Sequence, residues 1–215
     1  MLHRFQNLIA TIVYTNAQNL FITSLMPLSS NDWDRTLVGT GRPYGATTRR
    51  NELKTHIRAE LERIQLPFCI YCGFHEDIVG HLQRDHIAPK GIYPEFLFEA
   101  KNLVLACGNC NGFLKKKNFD TISSVSSVYN RCRFKIVHPY RDRYQDHLKF
   151  AFVGGDIVIK HKPYSRKGKA TVEMTGINEP IPAQLRGAAL MRRHIQLTPA
   201  LDTLLALAMQ NDYSL

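Results

Sequence analysis

The chain has 215 residues, 44% of them apolar, enough for a sizeable core in one domain with additions or in two small ones. Its 28 lysines and arginines against 18 aspartates and glutamates leave a net charge of +10 and an isoelectric point near 9.5. That balance favours a polyanionic partner, nucleic acid ahead of membrane, since no lipid-anchor motif and no long apolar span is seen; a generally basic surface is the plainer reading of the same charge.

Residues 1–48 divide into an apolar stretch and a polar one. From Phe5 to Asn31 the chain carries almost no charge, but Asn16, Gln18 and Asn19 interrupt the run and no clean cleavage site follows. The pattern therefore predicts a buried helix rather than a signal peptide or a membrane span. Residues 29–48, rich in Ser, Gly, Thr and Pro, read as a linker or long loop, with the single tryptophan, Trp33, as a docking residue. In residues 48–65, Leu53, Ile57, Leu61 and Ile64 recur at helical spacing. The charges on this helix, Arg49, Arg50, Lys54, Arg58 and Arg63, form either a solvated face or a set of phosphate contacts.

Leu66-Pro67 ends that helix, and two cysteine pairs follow, Cys69-x-x-Cys72 and Cys107-x-x-Cys110. Two such turns supply the four sulfurs that tetrahedral zinc prefers; two disulfides or a zinc ribbon that only binds nucleic acid are the competing readings. Phe68 to about His86 suits a β-hairpin holding the first pair, Glu95–Glu99 a short turn, and Leu103–Ala106 a strand leading to the second pair. Asn111 then opens a helix through Lys117. Between the pairs lie Asp85-His86, a carboxylate beside an imidazole whose ordinary pKa is near neutrality. His75 and His81 read as polar hairpin residues. Cys132 is left over as a core thiol, and an odd, mostly metal-directed cysteine count fits a reducing, cytoplasmic setting.

The order Cys-x-x-Cys, Asp85-His86, Asn102, Cys-x-x-Cys, Asn111 resembles the HNH (ββα-metal) endonuclease family in its zinc-stapled form. Pro89 follows His86 at the usual offset, and Asn111 stands where many members have His. Leu114 occupies the offset of a lysine the family usually carries; Lys115, Lys116 and Lys117 come one residue later.

The resemblance implies an α+β fold, with a ββα-metal core at residues 49–120. Residues 1–48 form an N-terminal helix and linker, and residues 121–215 a strand-plus-helix extension. It implies structural Zn²⁺ on Cys69, Cys72, Cys107 and Cys110. His86 is the base that activates water, Asp85 and Asn111 are ligands for catalytic Mg²⁺ or Mn²⁺, and Asn102 braces the loop. Arg49, Arg50 and Lys115–Lys117 are the phosphate contacts. Asp85 and His86 are neighbours, so in a strand they face opposite ways, and the backbone is expected to turn or bulge there. DNA is the expected substrate; RNA cleaved by the same site, and a non-catalytic zinc module, are the alternatives.

In the tail, residues 120–130 read as a connection. Phe134–Val137, Phe150–Val153, Ile157–Lys160 and Thr171–Met174 read as strands, Gly154-Gly155 as a turn and Pro163–Lys169 as a basic loop. Asn178 resembles an N-cap, ahead of a helix from Ala183 to Gln196 and another after Pro199. His138-Pro139-Tyr140, His147–Phe150 and Thr171–Asn178 are similar to the tails of nuclease subunits from Septu-type and retron-associated anti-phage systems. Those work beside an ABC-type ATPase, and with no Walker motif in this chain, ATP hydrolysis would belong to such a partner.

Overall fold

The computed structural model describes residues 4–37, 41–112, 119–153 and 156–178. Lys115–Lys117, the turn at 154–155 and the helices expected after residue 182 lie outside them. The architecture of the described residues is α+β: one helix of 19 residues, several short ones, and three two-stranded antiparallel sheets. Among the described residues no helix is long and apolar enough to cross a membrane.

The N-terminal stretch departs from the expected buried helix. Residues 4–14 have no regular structure, and only α1 (Asn16–Ser24) is helical. Phe5, Leu8 and Ile12 enter the core one by one, while distant groups hold the backbone between them. The Gln6 amide donates to the carbonyls of Leu66 and Phe68 and accepts from the Leu66 N–H. The polar residues that interrupt the apolar run start α1 instead, through a reciprocal capping box between Thr15 and Gln18.

The expected linker is ordered where described. It carries α2 (Asn31–Asp34), whose Trp33 is buried. α3 (Ala46–Ile64) follows the predicted periodicity and buries Leu53, Ile57 and Leu61. Arg50, expected to face phosphate, is itself buried. Its guanidinium donates to the carbonyls of Asp32 and Arg35 and so ties α2 to α3. Arg49 stays exposed, 4.4 Å over the Phe21 ring.

In place of one long hairpin, the first cysteine pair sits in a tight knuckle closed by a single bridge between Phe68 and His75. Gly73 turns it with φ +68°, and a Cβ there would lie 2.8 Å from the Arg4 carbonyl oxygen, so both conformation and space select glycine. His75 caps the short α4 (Glu76–Val79). β1 (Gln83–His86) pairs not with the knuckle but with β2 (Leu103–Ala106), from Gln83↔Ala106 to His86↔Leu103 without a register shift. Gln65, fully inside, extends this sheet with side-chain bonds to the N–H and C=O of Leu105. α5 (Gly108–Asn111) follows directly and has Asn111 as its last residue; the helix expected from Asn111 through Lys117 falls mostly on residues 113–117, outside the described residues.

Beyond it, β3 (Ile122–Ser124) lies in the segment expected to be a plain connection and pairs with β4 (Arg133–Phe134). α6 (Tyr144–His147) leads into β5 (Leu148–Val153), which pairs with β6 (Asp156–His161). The expected basic loop and strand at 163–174 form instead α7 (Arg166–Thr175). Ser165 accepts from the Gly168 N–H at its start, and Gly176 ends it in the left-handed conformation. The Asn178 amide pairs with the N–H and C=O of Ile159 on β6, while the helix it is expected to cap lies outside the described residues. α7 packs on β6 and on α5, and one contiguous core runs from Phe5 to Ile177.

Candidate functional site

Cys69, Cys72, Cys107 and Cys110 are all buried, and their four sulfurs lie within 4.8 Å of one another. A tetrahedral Zn²⁺ with bonds of about 2.3 Å requires sulfur–sulfur edges of about 3.8 Å, and Cys72 Sγ and Cys107 Sγ are 4.0 Å apart. The set can therefore hold one metal ion after small adjustments. Its protonation points the same way. Hydrogen bonds from the other three thiols hold Cys107 far below the usual thiol range. Burial pushes Cys72 up, and the bond to Cys107 pushes Cys110 up. A divalent cation held by the four sulfurs would displace their remaining protons. Cys132 is buried apart from this cluster and bonds to Ser126 and Val128.

Next to the cluster, β1 and α5 meet in a cleft of about 780 Å³, and Asp85, His86 and Asn111 all line it. The pairing of β1 runs through Asp85 and His86 without a shift, so the expected bulge is not found there, and both residues line the opening. Asp85 is buried, and its Oδ2 accepts from the Tyr71 hydroxyl at 2.6 Å. Burial first, and then the Asp85 charge, push Tyr71 well above the usual phenol range, so it remains the donor. The Nε2 of His86 lies 3.0 Å from the Leu97 carbonyl. A carbonyl only accepts, so Nε2 carries a hydrogen, and in the neutral form of the ring the lone pair is on Nδ1. Trp33 packs edge-on against the same ring, with centroids 4.5 Å apart. The Asn111 amide donates at 3.5 Å to Gln83, which leaves its oxygen as the other end.

Asn102 is fully buried behind the cleft. Its Oδ1 accepts from the Ala88 N–H at 2.6 Å and the Tyr129 hydroxyl at 3.0 Å. Its Nδ2 donates to the carbonyls of Ala88 at 3.2 Å and Phe96 at 2.9 Å. These bonds join the segment that leaves His86 to the turn that presents the Leu97 carbonyl.

No protein-family model matches the chain. Over 130 residues it is 26% identical to the Septu protein PtuB of Bacillus thuringiensis. The match takes 59% of this chain but 42% of that protein, so the chain spans less than half the length of the relative it matches. The likeness relates this chain to a Septu protein, and the four-cysteine cluster adds a metal-binding capacity.

The cleft and the packing that supports it also use residues that motif reading did not select. Asp34 stands between Lys90 and Lys54; burial pushes its carboxyl up, but those lysines and His86 together hold it below the ordinary range. Tyr71 carried one usable signal, its place inside the first cysteine pair, where the knuckle fixes its direction. Trp33, the single tryptophan of the expected linker, reads only as a docking residue, and Tyr129 comes from a distant segment and carried no signal.

Proposed function

We propose that the chain is a metal-dependent HNH endonuclease that cuts DNA, acting in anti-phage defence with an ABC-type ATPase partner. One observation carries the reading: the oxygen donors of Asp85 and Asn111 and an imidazole of fixed tautomer line a single cleft beside a four-cysteine cluster. The order of β1, β2 and α5 agrees with a ββα-metal core, and the likeness to a Septu protein supports the defence context. Zn²⁺ on the four cysteines would be structural, since a closed sulfur site leaves no position for substrate.

Asp85 and Asn111 suit Mg²⁺ or Mn²⁺, because both are hard oxygen ligands in a cleft with room for the waters such an ion keeps. When bound, the ion supplies positive charge against the phosphate and its leaving oxygen. The side chains do the rest. His86 takes a proton from water at Nδ1, and the Leu97 carbonyl steadies the ring as it becomes charged. Tyr71 orients Asp85, and Asn102 keeps the Leu97 turn in reach of the ring. Incubating the chain with supercoiled plasmid and Mg²⁺ tests this. Cleavage is expected and should fall by at least about 100-fold in His86→Ala, the scale of a lost general base; undiminished cutting by that variant rules out the assignment.

A further inference from the structure

A second pocket of about 470 Å³ adjoins the cleft and shares Trp33, Asp34, Gln83 and Arg84 with it. Lys54, Arg58 and His81 complete its polar lining. Three basic side chains thus face a space in which Asp34 is the one lining carboxylate among the described residues, and Lys54 and Lys90, the latter on the neighbouring wall, both claim that carboxylate. The cations are pinned by backbone carbonyls, which orient them without cancelling charge. Lys54 Nζ donates to the Trp33 carbonyl at 3.0 Å, Arg84 Nη1 to the Lys54 carbonyl at 2.7 Å, and Arg58 to the Leu82 carbonyl. Arg58 also pairs with Glu62, whereas Arg84 has no ion pair among the described residues. Held close together with too few acids, such groups are a ready seat for a multiply acceptor-rich anion.

We propose that this pocket seats a backbone phosphate of the DNA strand, next to the phosphate offered to Asp85 and His86. Arg84 and Asp85 are consecutive on one regular strand, so the seat and the cutting position are held in fixed register. The inference rests on the nuclease reading for the polymer, but its test reads binding alone. A short fluorescein-labelled DNA duplex is titrated with the full chain carrying His86→Ala, so that it stays intact, and anisotropy gives affinity across about 50 to 200 mM salt. Adding Lys54→Gln or Arg84→Gln should lower the slope of log affinity against log salt by about one unit for the lost contact; Lys54→Arg should preserve it. Zinc content and far-ultraviolet circular dichroism matching the parent certify the fold.

A slope unchanged in both neutral variants, or no salt-dependent binding by the parent, overturns the proposal. If the wild type cuts plasmid while the slopes stay the same, the nuclease reading survives and the phosphate seat does not. If the slopes fall but the wild type never cuts, the seat stands and the nuclease reading fails.

Discussion

Replacing Asn102 with alanine tests how the candidate site is held. The side chain is fully buried and makes four hydrogen bonds, to the Ala88 N–H, the Ala88 and Phe96 carbonyls, and the Tyr129 hydroxyl. Tyr129 keeps His138 Nε2 and the Lys101 carbonyl as partners, so its loss is cushioned. The Phe96 carbonyl likewise keeps the Glu99 N–H. The Ala88 N–H and C=O have no such substitute among the described residues, and at about 1.5 kcal/mol for each buried group left unpaired the change costs about 3 kcal/mol. That is a large share of the roughly 5–15 kcal/mol by which a domain is stable. Urea unfolding of the zinc-loaded protein, followed by circular dichroism, should show the midpoint falling by about 1 M or more, with an m-value of at most about 3 kcal/mol per M. Cleavage should fall beyond what the folded fraction explains, because the Leu97 carbonyl no longer holds the His86 ring. A cost below about 1 kcal/mol would refute the view of Asn102 as the brace of this loop.

Burial first, and then Arg141, hold His138 down to about 3, whereas in the unfolded chain it titrates at about 6.5. Below that pH the unfolded state takes up a proton that the native state refuses, so this group removes about 1.4 kcal/mol of stability per pH unit between about 6.5 and 3. His138→Gln should flatten the stability curve by one proton in that window, and equal slopes would count against the assignment. Metal analysis of purified protein should find zinc, lost in Cys107→Ala, and chelation should lower the melting temperature steeply; a chelator-insensitive melt would argue against a metal-stapled knuckle. Gly168→Ala should destabilise by about 1–3 kcal/mol despite alanine's helix propensity, since the new Cβ would overlap the His147 carbonyl oxygen. A raised melting temperature would show that α7 and α6 can part at little cost.

Local pattern made some elements readable and hid others. The stripe of Leu53, Ile57 and Leu61 needs only helical geometry, and the paired cysteines need only a turn each. Phe5, Leu8 and Ile12 mimic the same stripe, yet there the Gln6 side chain bonds to Leu66 and Phe68, residues that local periodicity does not sense. Thr171–Met174 looked strand-like from its β-branched residues, but Ser165 and Gly176, at the ends of the segment, decide for a helix. Arg50 read as a surface charge because nothing nearby announces the Asp32 and Arg35 carbonyls that enclose it. The same holds for the cleft. Asp85, His86, Asn102 and Asn111 stand out in the sequence, whereas Tyr71, Trp33 and the Leu97 carbonyl gain their meaning only from the packing around them.

The edge-on contact of Trp33 with His86 gives the molecule its own optical gauge. The chain has a single indole, and it touches the ring proposed to take the proton. An imidazolium quenches indole emission more strongly than a neutral imidazole does. The intrinsic fluorescence of the unlabelled protein therefore tracks the charge state of that one histidine, and any ligand that moves α2 away from β1 registers as a change in colour or brightness.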